Sequence, residues 1–137
     1  MASFSKVNLC VLISTNTTFT LFSLDFLSSV KYESLGCYKE KRVRAIPSME
    51  GSDVLLKDSY SQRNDAIQKC AVAAMSRGYK TFALQDGGMC VGGPSAHRVY
   101  GKYGKSQDCK NDGKGGAWAN EVYHLTETME GTVTRIL

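Results

Sequence analysis

Five cysteines and two histidines are the residues of this chain best suited to metal, redox or nucleophilic chemistry, and their spacing decides which is available. Cys10 stands alone in an N-terminal stretch, whereas Cys37, Cys70, Cys90 and Cys109 fall at intervals of 33, 20 and 19 residues. No C-x-x-C pair exists among the four, and these gaps are wider than common zinc patterns. His97 and His124 keep no short fixed spacing to any of them, so a structural zinc is disfavoured. An even count within a domain of roughly 90 residues fits two disulfides and an oxidising compartment.

Catalysis finds little support in the same residues. Neither histidine accompanies a nucleophile or an orienting acid in a triad-like element, and no enzyme is expected. His97 reads as a loop residue after Pro94, and His124 as a strand residue facing solvent or a sheet edge. The stretch DCKNDGKGGAWA, from Asp108, places Asp108, Asp112 and Gly113 at positions one, five and six of a calcium-loop pattern. Position three is Lys110 and position twelve is Ala119, so the bidentate ligand is missing and an EF-hand is rejected. No metal or cofactor is expected.

Composition sets the frame for these residues. A chain of 137 residues with 42% hydrophobic and 22% charged content is sized for about one globular domain. The formal net charge is only +4, with both signs scattered along the chain. KEKRVR at 39–44 is the single basic run, and it reads as a solvated edge interrupted by Glu40. Nucleic-acid binding would need a basic face interleaved with aromatics, which the sequence does not make evident.

Residues 1–30 carry Lys6 and Asp25 as their charged groups, with VNLCVLIS followed by Ser-rich sequence. This resembles an imperfect secretory signal peptide, because STNTT splits its apolar segment; a disordered extension is the other reading. No uninterrupted run reaches the ~18 apolar residues of a membrane span, so no integral membrane segment is expected. Asn16-Thr17-Thr18 has the pattern of a glycosylation acceptor. Residues 126–137 read as a tail.

The elements between these ends must position the cysteines. SLGCYKE (34–40) reads as a strand, RAIPSMEG as an irregular crossing around Pro47, and SDVLLKDS as a short strand or loop. A helix is expected over 59–78, with Ser59 and Gln62 as a capping box and Gly78 as the C-terminal glycine. Within it Ile67, Cys70, Ala71, Ala74 and Met75 form one apolar stripe, which turns Cys70 into the domain. YKTFALQ then reads as a central strand. Gly87-Gly88 and Gly92-Gly93-Pro94 break the chain on either side of Cys90. Those glycines could form a nest for a ligand, or could bend the backbone so that Cys90 reaches a partner. A strand emerging beneath the helix brings Cys90 towards Cys70, so the bridge accounts for both features. Closing that loop is worth roughly 3 kcal/mol on the chain-entropy account.

Gly36-Cys37-Tyr38, Arg44-Ala45, a helix bearing Cys70, Gly87 through Gly93 around Cys90, and Gly115-Gly116 leading to Val122-Tyr123 occur in that order. This succession resembles a WSC domain, covers residues 34–125, and is similar in plan to the PAN/apple group. The chain has four of the family's usual eight cysteines in this span, and Val91 stands where the strand motif has its second one. The resemblance implies an α+β domain, with one helix on a small antiparallel sheet whose first and last strands lie side by side. It thereby implies Cys37–Cys109, leaving Cys70–Cys90. It further implies an extracellular or cell-surface location and carbohydrate binding.

Sugar recognition uses exposed aromatic rings together with planar polar groups. Between residues 98 and 123, Tyr100, Tyr103 and Trp118 alternate with Lys102, Gln107, Asp112 and Asn120. The ligand-binding set read from this stretch is Tyr100, Tyr103, Asp112, Trp118 and Asn120. Trp118 also suits a place in the core. A secreted glycan-binding module is therefore one expectation, and a structural or protein-interaction module of an extracellular matrix is the alternative. An exposed Trp118 in a groove favours the first, and a buried one with an apolar surface patch elsewhere favours the second.

Overall fold

The computed structural model describes residues 30–126. The expected N-terminal leader or extension, with Cys10 and the Asn16 acceptor, and the expected tail lie outside the described residues, apart from Val30 and Thr126. The elements are β1 (Tyr32–Lys39), two 3-10 turns (Val54–Leu56 and Tyr60–Gln62), α1 (Ala66–Ser76), β2 (Thr81–Gln85), β3 (Met89–Gly92), α2 (Ala96–Val99) and β4 (Ala119–Leu125). The strands form one antiparallel sheet in the order β1-β4-β2-β3. The fold is α+β, one main helix on a four-stranded sheet with two disulfides.

Strand alternation assigns the two faces. Phe82, Leu84, Cys90, Tyr123 and Leu125 point to the α1 side, where they join Cys70, Ala71, Ala73, Ala74 and Met75 of the helix. Small side chains let the helix lie close to the strands, and all three of those alanines are fully buried. Ala83, Val91 and Val122 point the other way and pack with Ala45, Ile46 and Ala96 from the irregular segments. The sheet is therefore covered on both faces.

The disulfides join Cys70 to Cys90, with Cα atoms 5.4 Å apart, and Cys37 to Cys109, at 6.0 Å. Cys70 reaches Cys90 from α1 on the helix-side face, as the apolar stripe predicts. Cys90 lies within β3, across a hairpin from β2, with Leu84 as its register partner. Gly87 and Gly88 make the turn of that hairpin, whereas Gly92 and Gly93 lie close against Met49 and Pro47. A Cβ on Gly88 would stand 2.4 Å from the carbonyl oxygen of Tyr60, so the turn packs directly on the second 3-10 turn.

Four expectations about local structure change. The helix begins at Ala66, and residues 60–62 form a separate 3-10 turn. The side chain of Ser59 makes no capping bond; its hydroxyl lies 3.1 Å from that of Ser61 instead. Arg63 breaks the run: its backbone is extended (φ −71°, ψ 126°), which sends its side chain into the interior. Residues 54–56 form a 3-10 turn whose start is capped by Asp53, which accepts from the Leu55 N–H at 3.0 Å. His97 belongs to the short helix α2. At the far end of α1 the expected glycine holds: Gly78 adopts φ 75°, and the Gly78 and Tyr79 N–H groups close on Met75 and Ala74.

Candidate functional site

Glu40 organises the sheet face opposite α1. Its side chain turns inward and is buried; Oε1 accepts from the N–H groups of Ala45 and Lys41, and Oε2 from those of Ile46 and the Asn120 amide. A buried carboxylate is tolerated when hydrogen bonds replace its water, and four donors do so here. The loop 40–46 is thereby fixed over the sheet. Arg44 extends the network by donating to the side chain of Gln85, the register partner of Asn120, and to Ile46 O.

Residues 101–106 and the turn at 117–118 are tied to the same loop. The N–H of Lys39 donates to Gly104 O and that of Glu40 to Trp118 O, each at 2.9 Å. Ser106 N–H donates to Cys37 O at 3.0 Å, and the hydroxyl of Tyr103 donates to Val43 O. Tyr100 stands edge-on to Tyr38, with ring centroids 5.0 Å apart.

Trp118 occupies a two-residue turn between Gly116 and Ala119, whose backbones exchange both of their hydrogen bonds at 3.0 and 3.1 Å. It adopts φ 53°, a region costly for a residue with a Cβ, and it is 52% exposed. The preceding glycines make this position rigid. A Cβ on Gly115 would meet Leu84 O at 2.2 Å, and one on Gly116 would meet Asp108 O at 1.9 Å.

The five residues read from the sequence as a ligand site do not form one cluster. Tyr100 and Tyr103 are half-buried beside the second core, and Trp118 is tied to β1 by its carbonyl, which accepts from the Glu40 N–H. Asp112 is exposed and caps its own turn by accepting from Lys114 N–H at 3.0 Å. The adjoining Gly113 accepts from the hydroxyl of Tyr123, which points to the helix side. Asn120 is fully buried, and its Nδ2 group serves Glu40. Of the residues mentioned beside them, Lys102 lies 5.3 Å from the centroid of Tyr103, and Gln107 is exposed.

The pattern did not single out Arg63. Its fully buried guanidinium makes two parallel bonds to Glu50 and a third to Asp58. Glu50, the largest influence, together with Asp58, raises its pKa despite burial. Glu50 also accepts from the N–H of Cys90 at 2.7 Å. A contact across 13 residues of irregular chain leaves no periodic trace, so sequence reasoning had no signal for it.

A cavity of about 590 Å³ opens at the start of α1, lined in part by Tyr32, Arg63, Ile67 and Lys114, and it includes none of the aromatic trio. Burial, with a smaller influence from Lys80, lowers the pKa of His97. Among the described residues no helix is long and apolar enough to cross a membrane, and no three His, Cys, Asp or Glu side chains are grouped to hold a metal ion. No family model and no curated protein matches the chain. The two disulfides are compatible with an extracellular location.

Proposed function

We propose that this chain is a secreted or cell-surface carbohydrate-binding module without catalysis, in which Trp118 supplies the stacking surface. The observation that carries the reading is the exposure of this indole on a strained turn that its neighbours hold rigid. Natural chains keep such strain where function uses it, and an exposed indole adds little to a core. Tyr103, fixed by its bond to Val43 O, offers a second ring on the same loop system. The WSC-like order of motifs supports the same assignment, as do the disulfides. Asp112 and Asn120 leave the proposed site, since one caps a remote turn and the other is enclosed. The alternative, a structural or protein-interaction module, calls for a buried Trp118 with an apolar patch elsewhere, and Trp118 is 52% exposed.

Trp118 is the chain's only tryptophan, so its emission reports on this position alone. A glycan array followed by titration should find a sugar that shifts the emission and whose binding is lost in Trp118→Ala. The variant should melt close to the parent. Loss of folding together with binding would return the ring to a structural role, and absence of any glycan ligand would defeat the reading.

A further inference from the structure

Exposed cations gather beside the rings of Tyr103 and Tyr38, whereas the acids that adjoin the Trp118 turn, Asp86 and Asp108, meet it at Gly116. Lys41 and Lys102 place their ammonium groups 4.9 and 5.3 Å from the centroid of the same Tyr103 ring, so they lie within about 10 Å of each other. That is close to the Debye length at physiological salt, and their repulsion is only partly screened. Lys105 stands 5.7 Å from the centroid of Tyr38, and Arg42 is exposed beside Lys41. Among the described residues no carboxylate pairs with Lys41, Arg42, Lys102 or Lys105. The acid within the basic run, Glu40, is turned inward and bound by backbone and amide donors, so it forms no ion pair with the surface cations. Residues 98–105 contain Arg98, Lys102 and Lys105 with no Asp or Glu. The backbone bonds from Lys39 to Gly104 and from Glu40 to Trp118 bring these cations and the exposed indole to one end of the sheet.

We infer that the ligand is an anionic polysaccharide, whose carboxylate or sulfate groups engage Lys41, Lys102 and Lys105 while a sugar face stacks on Trp118. This rests on the carbohydrate reading above and adds the charge of the ligand. A neutral glycan leaves the gathered ammonium groups uncompensated, whereas an acidic chain supplies the missing counter-charge along its length.

Calorimetric titration of the full, oxidised chain tests it with four probes: polygalacturonate, its fully methyl-esterified form, heparin and a single-stranded oligothymidylate. At least one of the two acidic polysaccharides should bind about ten-fold more tightly than the ester, as expected for a few exposed charge pairs. The advantage should vanish near ~0.5 M salt. A preference for polygalacturonate identifies carboxylate recognition, and one for heparin identifies sulfate. The triple variant Lys41→Gln, Lys102→Gln, Lys105→Gln should lose the preference and keep the parent's melting temperature, while the corresponding Lys→Arg triple retains it. If the ester binds as well as both acidic chains, the charge inference falls and the carbohydrate reading stands. Should none of the polysaccharides bind, the charge inference falls, and the carbohydrate reading is decided by the glycan array. Oligothymidylate binding as tight as the best polysaccharide also overturns the inference, because the surface would then accept any polyanion.

Discussion

Arg63 and Glu50 are joined by two parallel hydrogen bonds of 2.9 and 2.7 Å, and Arg63 is wholly enclosed. The pair links the chain before α1 to the loop after β1. Through the N–H of Cys90, Glu50 extends the link to β3. Removing Glu50 leaves the enclosed Arg63 only the half-exposed Asp58 as an ionic partner, and removing Arg63 leaves the mostly enclosed Glu50 without an ionic partner among the described residues. Arg63→Ala and Glu50→Ala should each cost about 3–5 kcal/mol in chemical denaturation. Asp58→Ala should cost far less, since that side chain is half exposed. Equal losses at the three positions would show that the enclosed pair has no special weight.

The two disulfides should differ in accessibility. Cys70 and Cys90 are fully buried between α1 and β3, whereas Cys37 and Cys109 are partly exposed. Thiol exchange needs approach to a sulfur atom, so mild reduction followed by alkylation should label Cys37 and Cys109 first. Cys70 and Cys90 should remain unlabelled until the protein unfolds. Early labelling of Cys70 would mean that α1 opens locally.

Trp118 separates ring from backbone. Trp118→Gly and Trp118→Ala both remove the indole, but only glycine adopts φ 53° without a Cβ penalty. The glycine variant should therefore be the more stable of the two by about 1 kcal/mol. Identical melts would show that this turn stores no strain.

Acid should weaken the fold through Asp53 and Asp58. Partial burial pushes the Asp53 carboxyl up, but the Leu55 N–H and the Arg77 guanidinium outweigh it and hold the group below its ordinary 3.8. The bond from Arg63 likewise lowers Asp58. Because both folded pKa values lie below the unfolded ones, the stabilisation is complete above the unfolded value and is lost as pH falls through the folded one. Melting temperature should fall below about pH 4, and Asp53→Asn with Asp58→Asn should flatten that dependence. An unchanged slope in the double variant would assign the acid sensitivity elsewhere.

Much of this architecture is legible in the sequence because it rests on local periodicity. The stripe through Cys70, Ala74 and Met75, the glycine at 78 and the β-branched and aromatic run before Gln85 each state their element. The Cys37–Cys109 bond follows from family resemblance rather than from spacing. What the pattern conceals is which sheet face a loop covers. Asn120 sits two residues from the exposed Trp118, yet strand alternation turns it beneath the 40–46 loop. Asp112 shares a glycine-rich segment with Trp118 but serves the opposite face. Arg63 resembles an ordinary polar helix residue until the extended backbone directs it inward. Such outcomes depend on contacts between segments far apart in the chain.

Antiparallel pairing of β1 with β4 sets Tyr32 opposite Leu125. Chain entering the described domain and chain leaving it therefore emerge at the same place. Tension applied between those two points would peel β1 from β4 one hydrogen bond at a time, as a zip opens, instead of shearing the whole ladder together. The peeling would travel five residues along β1, from Tyr32 to Cys37, and there meet the covalent bond to Cys109. From that point the pull on β1 passes through sulfur to the loop ahead of β4. The Cys37–Cys109 bridge thus acts as a mechanical stop that shields the loop 40–46 and the rest of the sheet from direct load along the N-terminal strand.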